Sequence, residues 1–173
     1  MAVDVVIEDA RWEALDLPAL ADRAAAATLA RLGLSAAWEI ALLATGDAEI
    51  ARLNADFRGK PAPTNVLSWP AHPIAPPAPG QPPPPPEPDV TGEPVLGDIA
   101  LAWETCAHEA EIGGKPLTDH ATHLLVHAIL HLLGYDHICG EDAALMEGLE
   151  TEILKGLGVP DPYSGVASKE DRA

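Results

Sequence analysis

The chain has 173 residues, of which 47% are apolar and 21% are charged. This composition is typical of a globular domain and excludes an intrinsically disordered protein. Asp and Glu outnumber Lys and Arg by 27 to 10, which gives a net charge of −17. That balance excludes a protein that binds nucleic acid through a broadly basic surface.

Two further observations bear on the cellular compartment. No apolar run approaches the roughly 20 residues that span a bilayer, and the N-terminal residues lack the basic and apolar regions of a secretory signal. We therefore expect a cytoplasmic protein with no membrane partner. In that reducing compartment Cys106 and Cys139 are expected to be free thiols.

Alternating strand and helix patterns run along most of the chain. Short apolar or β-branched runs predict strands at Val3–Glu8, Trp38–Ala44, Asn65–Trp69 and Asp98–Trp103. Helical patterns predict helices at Leu17–Leu32, Asp47–Phe57, Trp103–Ile112, residues 117–133 and Glu141–Leu157. Asp47 is a candidate N-cap for the second helix. The two strands on either side of the proline-rich stretch are expected to pair as neighbours.

The prolines are concentrated in one stretch. Twelve of the 18 lie between Pro70 and Pro94. Because proline fixes φ and lacks an N–H donor, residues 71–94 are predicted to form an exposed polyproline-like insertion in a single domain that spans residues 1–160. The insertion is either a ligand for an SH3-like partner or, as we favour, a tolerated surface loop. Residues 161–173 are predicted to form a flexible tail.

Four histidines fall within 15 residues of one another. His127 and His131 are four residues apart, so they lie on one face of the predicted buried helix. Gly134 permits a sharp turn that returns His137 to the other two. Three imidazoles with an open fourth position for water form the ligand set of a catalytic zinc site. The spacing therefore predicts one Zn²⁺ ion held by these three histidines.

Three side chains beside this motif each have alternative roles. Asp136 orients a ligand imidazole, helps to activate water, or caps the turn. His123 supports the ligands, lines the cleft, or is an ordinary helix histidine, which we favour. Cys139 either approaches the metal or is a buried thiol, which we favour.

The same histidine spacing occurs in the metzincin proteases, whose motif is H-E-x-x-H-x-x-G-x-x-H. The glutamate that acts as general base in those enzymes is replaced here by Ala128. A metzincin-like metallopeptidase is therefore an alternative that lacks its usual proton acceptor.

The segment HAILHLLGYDH, from His127 to His137, closely resembles the H-G-x-L-H-L-x-G-Y-D-H motif of the YbeY family of ribosomal RNA maturation factors. Residues 54–70 resemble the family's N-x-x-F-R-x-K-x-x-P-T-D-V-L-S-F-P block, and residues 96–99 resemble its L-G-D-I strand. The resemblance covers roughly residues 3–157. Three positions depart from the pattern, with Ala128 in place of glycine, Asn65 in place of aspartate and Trp69 in place of phenylalanine.

The resemblance implies an α+β fold in which a small mixed sheet packs with about five helices, with the metal site on a buried central helix and the following turn. It also implies a zinc-dependent, single-strand-specific endoribonuclease that acts in 16S rRNA 3′-end maturation and ribosome quality control. The implied partners are single-stranded rRNA, the small ribosomal subunit and ribosomal or assembly proteins. The alternative is a non-catalytic ribosome-assembly factor with a structural zinc.

Arg58 matches the functional arginine of this family, and we count it with Asp136 as a candidate catalytic residue. A guanidinium binds phosphate through two hydrogen bonds and offsets the charge of a phosphoryl transition state. The other interpretation of Arg58 is a surface salt bridge. Residues 52–60 contain three basic residues and one acidic residue. We therefore expect a locally positive groove on an acidic body that docks on a ribosomal particle.

Overall fold

The structure is a computed structural model that describes residues 3–163. Four strands, β1 to β4, span Val3–Ile7, Glu39–Thr45, Val66–Pro70 and Val95–Ala102. Five helices, α1 to α5, span Leu17–Arg31, Asp47–Arg58, Trp103–Ile112, Leu117–Leu132 and Gly140–Gly156, and a short 3-10 helix spans Ala10–Ala14. The predicted α+β fold with a small sheet and five helices is confirmed.

The four strands form one mixed sheet in the order β1-β2-β4-β3. Strands β1, β2 and β4 run parallel to one another, as their helical crossovers require. Strand β3 is antiparallel to β4, with Val66 opposite Leu101 and Pro70 opposite Gly97. The predicted pairing of the strands around the insertion is therefore confirmed, and β3 forms one edge of the sheet.

Helix α4 lies at the centre of the molecule and packs against α1, α3, α5 and strand β3. Ten of its residues are buried, in agreement with its nearly continuous apolar sequence. This position gives the side chains on α4 a rigid support.

Asp47 does not have its predicted role as an N-cap. Gly46 occupies the N-cap position of α2, and Asp47 begins the helix. Its Oδ1 accepts hydrogen bonds from the backbone N–H of Thr105 at 3.1 Å and from the Thr105 hydroxyl at 2.9 Å. The carboxylate thus ties α2 to the first turn of α3, a contact between distant parts of the chain that local sequence does not show.

Residues 71–94 contain no helix or strand, but they are less exposed than we expected. The backbone N–H of Gly80 donates to Asp142 Oδ1 at 2.8 Å, near the start of α5. The run from Pro82 to Pro86 lies beside Leu133 and Tyr135. The insertion therefore lies along the turn that follows α4.

Two smaller observations concern the described residues. Cys106 and Cys139 are free thiols. None of the helices within residues 3–163 is long and apolar enough to cross a bilayer.

Candidate metal centre

Helix α4 and the turn after it bring the three predicted ligands together. The Nε2 atoms of His127 and His131 are 3.1 Å apart. The ring of His137 lies 5.5 Å from that of His127 and 5.1 Å from that of His131, between centroids. One ligand atom from each of the three side chains lies within 4.8 Å of the other two. The arrangement is a possible metal site.

Gly134 makes the return of the chain possible. Its φ is +99°, a conformation that side-chain-bearing residues rarely adopt. A Cβ at this position would lie 2.9 Å from the carbonyl oxygen of Ile74, in the proline-rich insertion. The turn is further fixed by the backbone N–H of Tyr135, which donates to Leu130 O at 3.0 Å. Local strain and tertiary packing both therefore require glycine here.

The imidazole of His131 is held in its neutral form. Burial lowers its pKa to about 4, and the neighbouring imidazoles of His127 and His137 act in the same direction. A neutral imidazole keeps a lone pair for a metal ion. Three nitrogen donors of this kind fit zinc.

Glu150, which the sequence analysis did not identify, lies behind the cluster. Its side chain is 0% exposed. Its Oε1 accepts hydrogen bonds from His127 Nδ1 at 2.9 Å and His123 Nε2 at 3.1 Å. Its Oε2 accepts one from the Tyr163 hydroxyl at 3.0 Å. Burial raises the pKa of Glu150, but the hydrogen bonds from the two histidines outweigh it and lower the pKa to about 2.

A faint signal for Glu150 exists in the sequence. It lies four residues after Met146 and four before Leu154, both of which are buried. A glutamate on the apolar stripe of an amphipathic helix is unusual, because carboxylates are almost never fully buried unless they are paired. The partner on α4 could not be named without knowing which helices pack together.

The cluster opens into a cleft of about 430 Å³. Its walls come from α4, from the edge strand β3, from the end of α2 and from the start of the predicted tail. Asn65, Val66 and Ser68 form the strand side, and His123 and Tyr163 lie at the end away from the turn. His123 thus lines the cleft and contacts Glu150, the position that its functional interpretation requires.

Arg58 and Asp136 both line this cleft, as their candidate roles require. Arg58 is exposed, and its Nη2 donates to the carbonyl oxygen of Ser68 at 3.3 Å. The Oδ1 of Asp136 accepts a hydrogen bond from the backbone N–H of His137 at 2.7 Å. Asp136 therefore braces the residue that carries the third imidazole. The structure brings all five predicted site residues to one cleft.

Cys139 and the predicted tail both contact helix α5. The Sγ of Cys139 accepts a hydrogen bond from Asp142 N–H at 3.4 Å and caps α5. Within the predicted tail, Asp161 accepts a hydrogen bond from the backbone N–H of Tyr163 at 2.8 Å and one from the Thr151 hydroxyl at 3.2 Å. The remainder of that segment, residues 164–173, lies outside the described residues.

Asn65 forms a second polar network at the other end of α4. Its Nδ2 donates to Glu109 Oε1 at 3.1 Å, and the same carboxylate oxygen lies 2.8 Å from His120 Nε2. An aspartate at position 65 would place two carboxylates against each other at this distance. The amide therefore suits its surroundings in this chain, although it departs from the family pattern.

Comparison with known proteins places this geometry in a family. The family model for endoribonuclease YbeY matches residues 5–158. The chain belongs to the YbeY endoribonuclease family. It is 59% identical over 165 residues to an endoribonuclease YbeY of Ruegeria pomeroyi, an alignment that covers 95% of this chain and 99% of the relative. It is 58% identical over 161 residues to that of Paracoccus denitrificans, with 93% and 89% covered.

A solved structure shares the overall fold of this chain at much lower sequence identity. The solution structure of a Thermotoga maritima protein aligns with 96% of this chain and 99% of its own chain, at a TM-score of 0.53 and 20% identity. At this identity the likeness concerns the fold alone. The family-model match over residues 5–158 agrees with the range of roughly residues 3–157 over which the sequence resemblance runs.

Proposed function

We propose that this chain is a zinc-dependent endoribonuclease that cleaves single-stranded RNA in the cytoplasm and acts in 16S rRNA 3′-end maturation and ribosome quality control. The observation that carries the proposal is the cluster of three imidazoles, whose ligand atoms lie within 4.8 Å of one another, in a cleft that Arg58 also lines. Membership of the YbeY family supports RNA as the substrate, and the motif resemblance supports its single-stranded, ribosomal origin.

His127, His131 and His137 are the residues that would hold the zinc ion. When bound, zinc polarises a phosphoryl oxygen and lowers the pKa of water. The neutral state of His131, which follows from burial and from its two neighbours, keeps this site ready for a cation at neutral pH. The helix and the glycine turn bring the three side chains together in the fold.

Arg58 binds the scissile phosphate in this proposal. The hydrogen bond from its guanidinium to Ser68 O is long at 3.3 Å, so exchanging it for a charge-assisted pair of bonds to phosphate is favourable. The guanidinium then offsets the negative charge that develops on the phosphoryl oxygens. Asp136, whose Oδ1 accepts a hydrogen bond from the backbone N–H of His137, offers Oδ2 to accept a hydrogen bond from water in the cleft.

The cleft offers little support for the peptidase alternative. Ala128 is buried and occupies the position where a metzincin has its general base. Among residues 3–163, Asp136 is the one carboxylate that lines the cleft. A peptide bond would therefore meet neither the usual glutamate nor a substitute for it at that position.

The overall charge supports a selective encounter with RNA. A net charge of −17 repels free RNA at long range, and Arg58 is the one Lys or Arg among the described residues that line the cleft. We therefore propose that ribosomal or assembly proteins on the small subunit deliver the single-stranded rRNA to this site. Isolated chain is expected to bind arbitrary duplex RNA weakly at moderate salt.

The test is cleavage of a single-stranded fragment that carries the small-subunit rRNA 3′ end. We expect Arg58→Ala to keep its zinc and its fold and to lose about 100- to 1,000-fold in cleavage rate, as other enzymes do when one transition-state donor is removed. His131→Ala should lose both zinc and cleavage. Arg52→Ala is the matched control, because Arg52 lies on the same helix and pairs with Glu49 and Asp56 away from the cleft.

Equal cleavage by all four proteins would overturn the proposal, because the activity would then come from a contaminant. In that case the non-catalytic assembly factor with a structural zinc would be the better account. It predicts that removal of zinc unfolds the domain and that Arg58→Ala leaves ribosome assembly intact.

A further inference from the structure

Glu150 is an anomaly of the core. Its neighbours on the inner face of α5, Met146, Leu149 and Ile153, are apolar and buried. A buried carboxylate is costly even when it is paired, and an apolar residue of similar size often serves stability as well or better. Packing alone therefore gives no reason for a glutamate at this position.

The partners of Glu150 all belong to the cleft. His127 is one of the three candidate ligands, and His123 and Tyr163 line the wall next to it. The rings of His123 and Tyr163 meet edge to face, with centroids 5.6 Å apart and planes at 87°. One carboxylate on α5 thus fixes three side chains on two other segments of the chain.

The contact with His127 also determines which ring nitrogen is free. A neutral imidazole carries one N–H, and an ionised carboxylate only accepts hydrogen bonds. The 2.9 Å contact between Glu150 Oε1 and His127 Nδ1 therefore places the proton on Nδ1. The lone pair is left on Nε2, the nitrogen that lies 3.1 Å from His131 Nε2.

We propose that Glu150 is the positioning residue of the metal centre: it holds His127 in the tautomer and orientation that present Nε2 to the ion, and it fixes the cleft wall through His123 and Tyr163. This inference rests on the proposed zinc site. Carboxylates that hydrogen-bond a ligand imidazole orient the ring and raise its basicity in other metal sites, and their loss costs about 10- to 100-fold in metal affinity.

Two substitutions separate the possible contributions of the carboxylate. Glu150→Leu removes both the charge and the hydrogen-bond acceptor but keeps an apolar side chain on the buried stripe. Glu150→Gln removes the charge but keeps an acceptor oxygen. Glu152→Leu and Glu152→Gln are matched controls, because Glu152 lies on the same helix and pairs with exposed Arg31.

The first measurement is zinc affinity by competition with a chelator. We expect Glu150→Leu to lose about 10- to 100-fold, Glu150→Gln to lose less, and both Glu152 variants to match the wild type. Wild-type affinity in Glu150→Leu would overturn the positioning role while leaving the zinc site in place. Failure of the wild type to bind zinc would overturn the proposed function and this inference together.

The second measurement does not depend on zinc or on a variant that folds. Nitrogen-15 NMR of the metal-free wild type at a pH where the imidazoles are neutral reports which nitrogen of His127 carries the proton. We expect the Nδ1–H tautomer in the wild type, because Nδ1 is the nitrogen that contacts Glu150 Oε1. A wild-type His127 protonated on Nε2 would contradict the inference directly.

Discussion

Helix α4 carries two carboxylate–histidine pairs, one near its start and one around its middle. Near its start, Glu109 of α3 contacts His120 at 2.8 Å and also accepts from Asn65 of the strand wall. Further along, Glu150 of α5 contacts His123 and His127. The chemistry of the two pairs is the same, but Glu109 remains 37% exposed whereas Glu150 is completely buried.

The difference lies in what each pair holds. The pair of Glu109 and His120 fastens strand β3 to α3 and α4 and so fixes the wall of the cleft. The pair of Glu150 and His127 acts on a candidate ligand of the metal. We infer that the first pair acts mainly on stability and the second mainly on metal affinity, and three experiments separate these effects.

The largest expected effect comes from removing one histidine of each pair. Because loss of an outer-shell partner already costs about 10- to 100-fold in metal affinity, His127→Ala should weaken zinc binding by more than about 100-fold. His120→Ala should leave zinc affinity unchanged and lower the free energy of unfolding. Metal analysis and chelator competition on both variants check this, and equal zinc affinities would show that the two pairs do not differ.

A smaller effect is expected from Asn65→Asp at the Glu109 end. In the wild type, burial raises the pKa of Glu109, but the hydrogen bonds from His120 and Asn65 outweigh it and leave the pKa below its usual value. A carboxyl whose pKa is lowered by folding stabilises the fold when the pH is above its usual pKa. This stabilisation is lost as the pH falls through the pKa of the folded state. The aspartate replaces a hydrogen-bond donor with a second carboxylate, and the repulsion between the two raises the pKa of the pair. The pair then destabilises the fold at neutral pH, where both carboxylates are ionised.

The loss in free energy of unfolding caused by Asn65→Asp should therefore be largest near pH 7 and shrink as the pH falls toward 4. We expect a loss of about 1 kcal/mol at pH 7, at the low end of the range for a buried group that loses its partner, because Glu109 is partly exposed. Urea unfolding of wild type and variant at both pH values measures it. A deficit that does not change with pH would exclude the electrostatic explanation.

The smallest effect concerns the two thiols, Cys106 of α3 beside Glu109 and Cys139 at the start of α5. Burial raises the pKa of Cys106 to about 12, and the charge of Glu109 adds to the effect. Since the thiolate is the reactive form, iodoacetamide at pH 8 should modify half-buried Cys139 and spare Cys106 until the protein unfolds. Mass spectrometry of the native protein identifies the modified residue, and rapid labelling of Cys106 would mean that this end of α4 opens readily.

The sequence predicted the parts of the site that depend on local spacing. His127 and His131 share a face because they are four residues apart on a helix, and Gly134 marks the turn that returns His137. Most predicted helix and strand limits agree with the structure to within one or two residues, because caps, glycines and apolar periodicity are also local. Strand β4 is the exception, since it begins at Val95 rather than Asp98.

The missed features depend on contacts between distant segments. Glu150 lies 23 residues from His127, and its role follows from the packing of α5 on α4. Tyr163 reaches the same carboxylate from the segment predicted to be a tail. The packing of Ile74 against Gly134 likewise joins the proline-rich insertion to the metal turn. Periodicity along one segment carries no information about such partners.

Zinc-dependent cleavage at the three histidines is tested most directly by titrating zinc into metal-free protein and then measuring single-turnover cleavage of the single-stranded rRNA fragment. We predict that cleavage is absent without metal, rises to a plateau at one equivalent of zinc for the wild type, and stays at background for His131→Ala at the same zinc concentration. Full cleavage by the metal-free wild type, or equal cleavage by His131→Ala, would contradict the claim that these three histidines hold the metal on which cleavage depends.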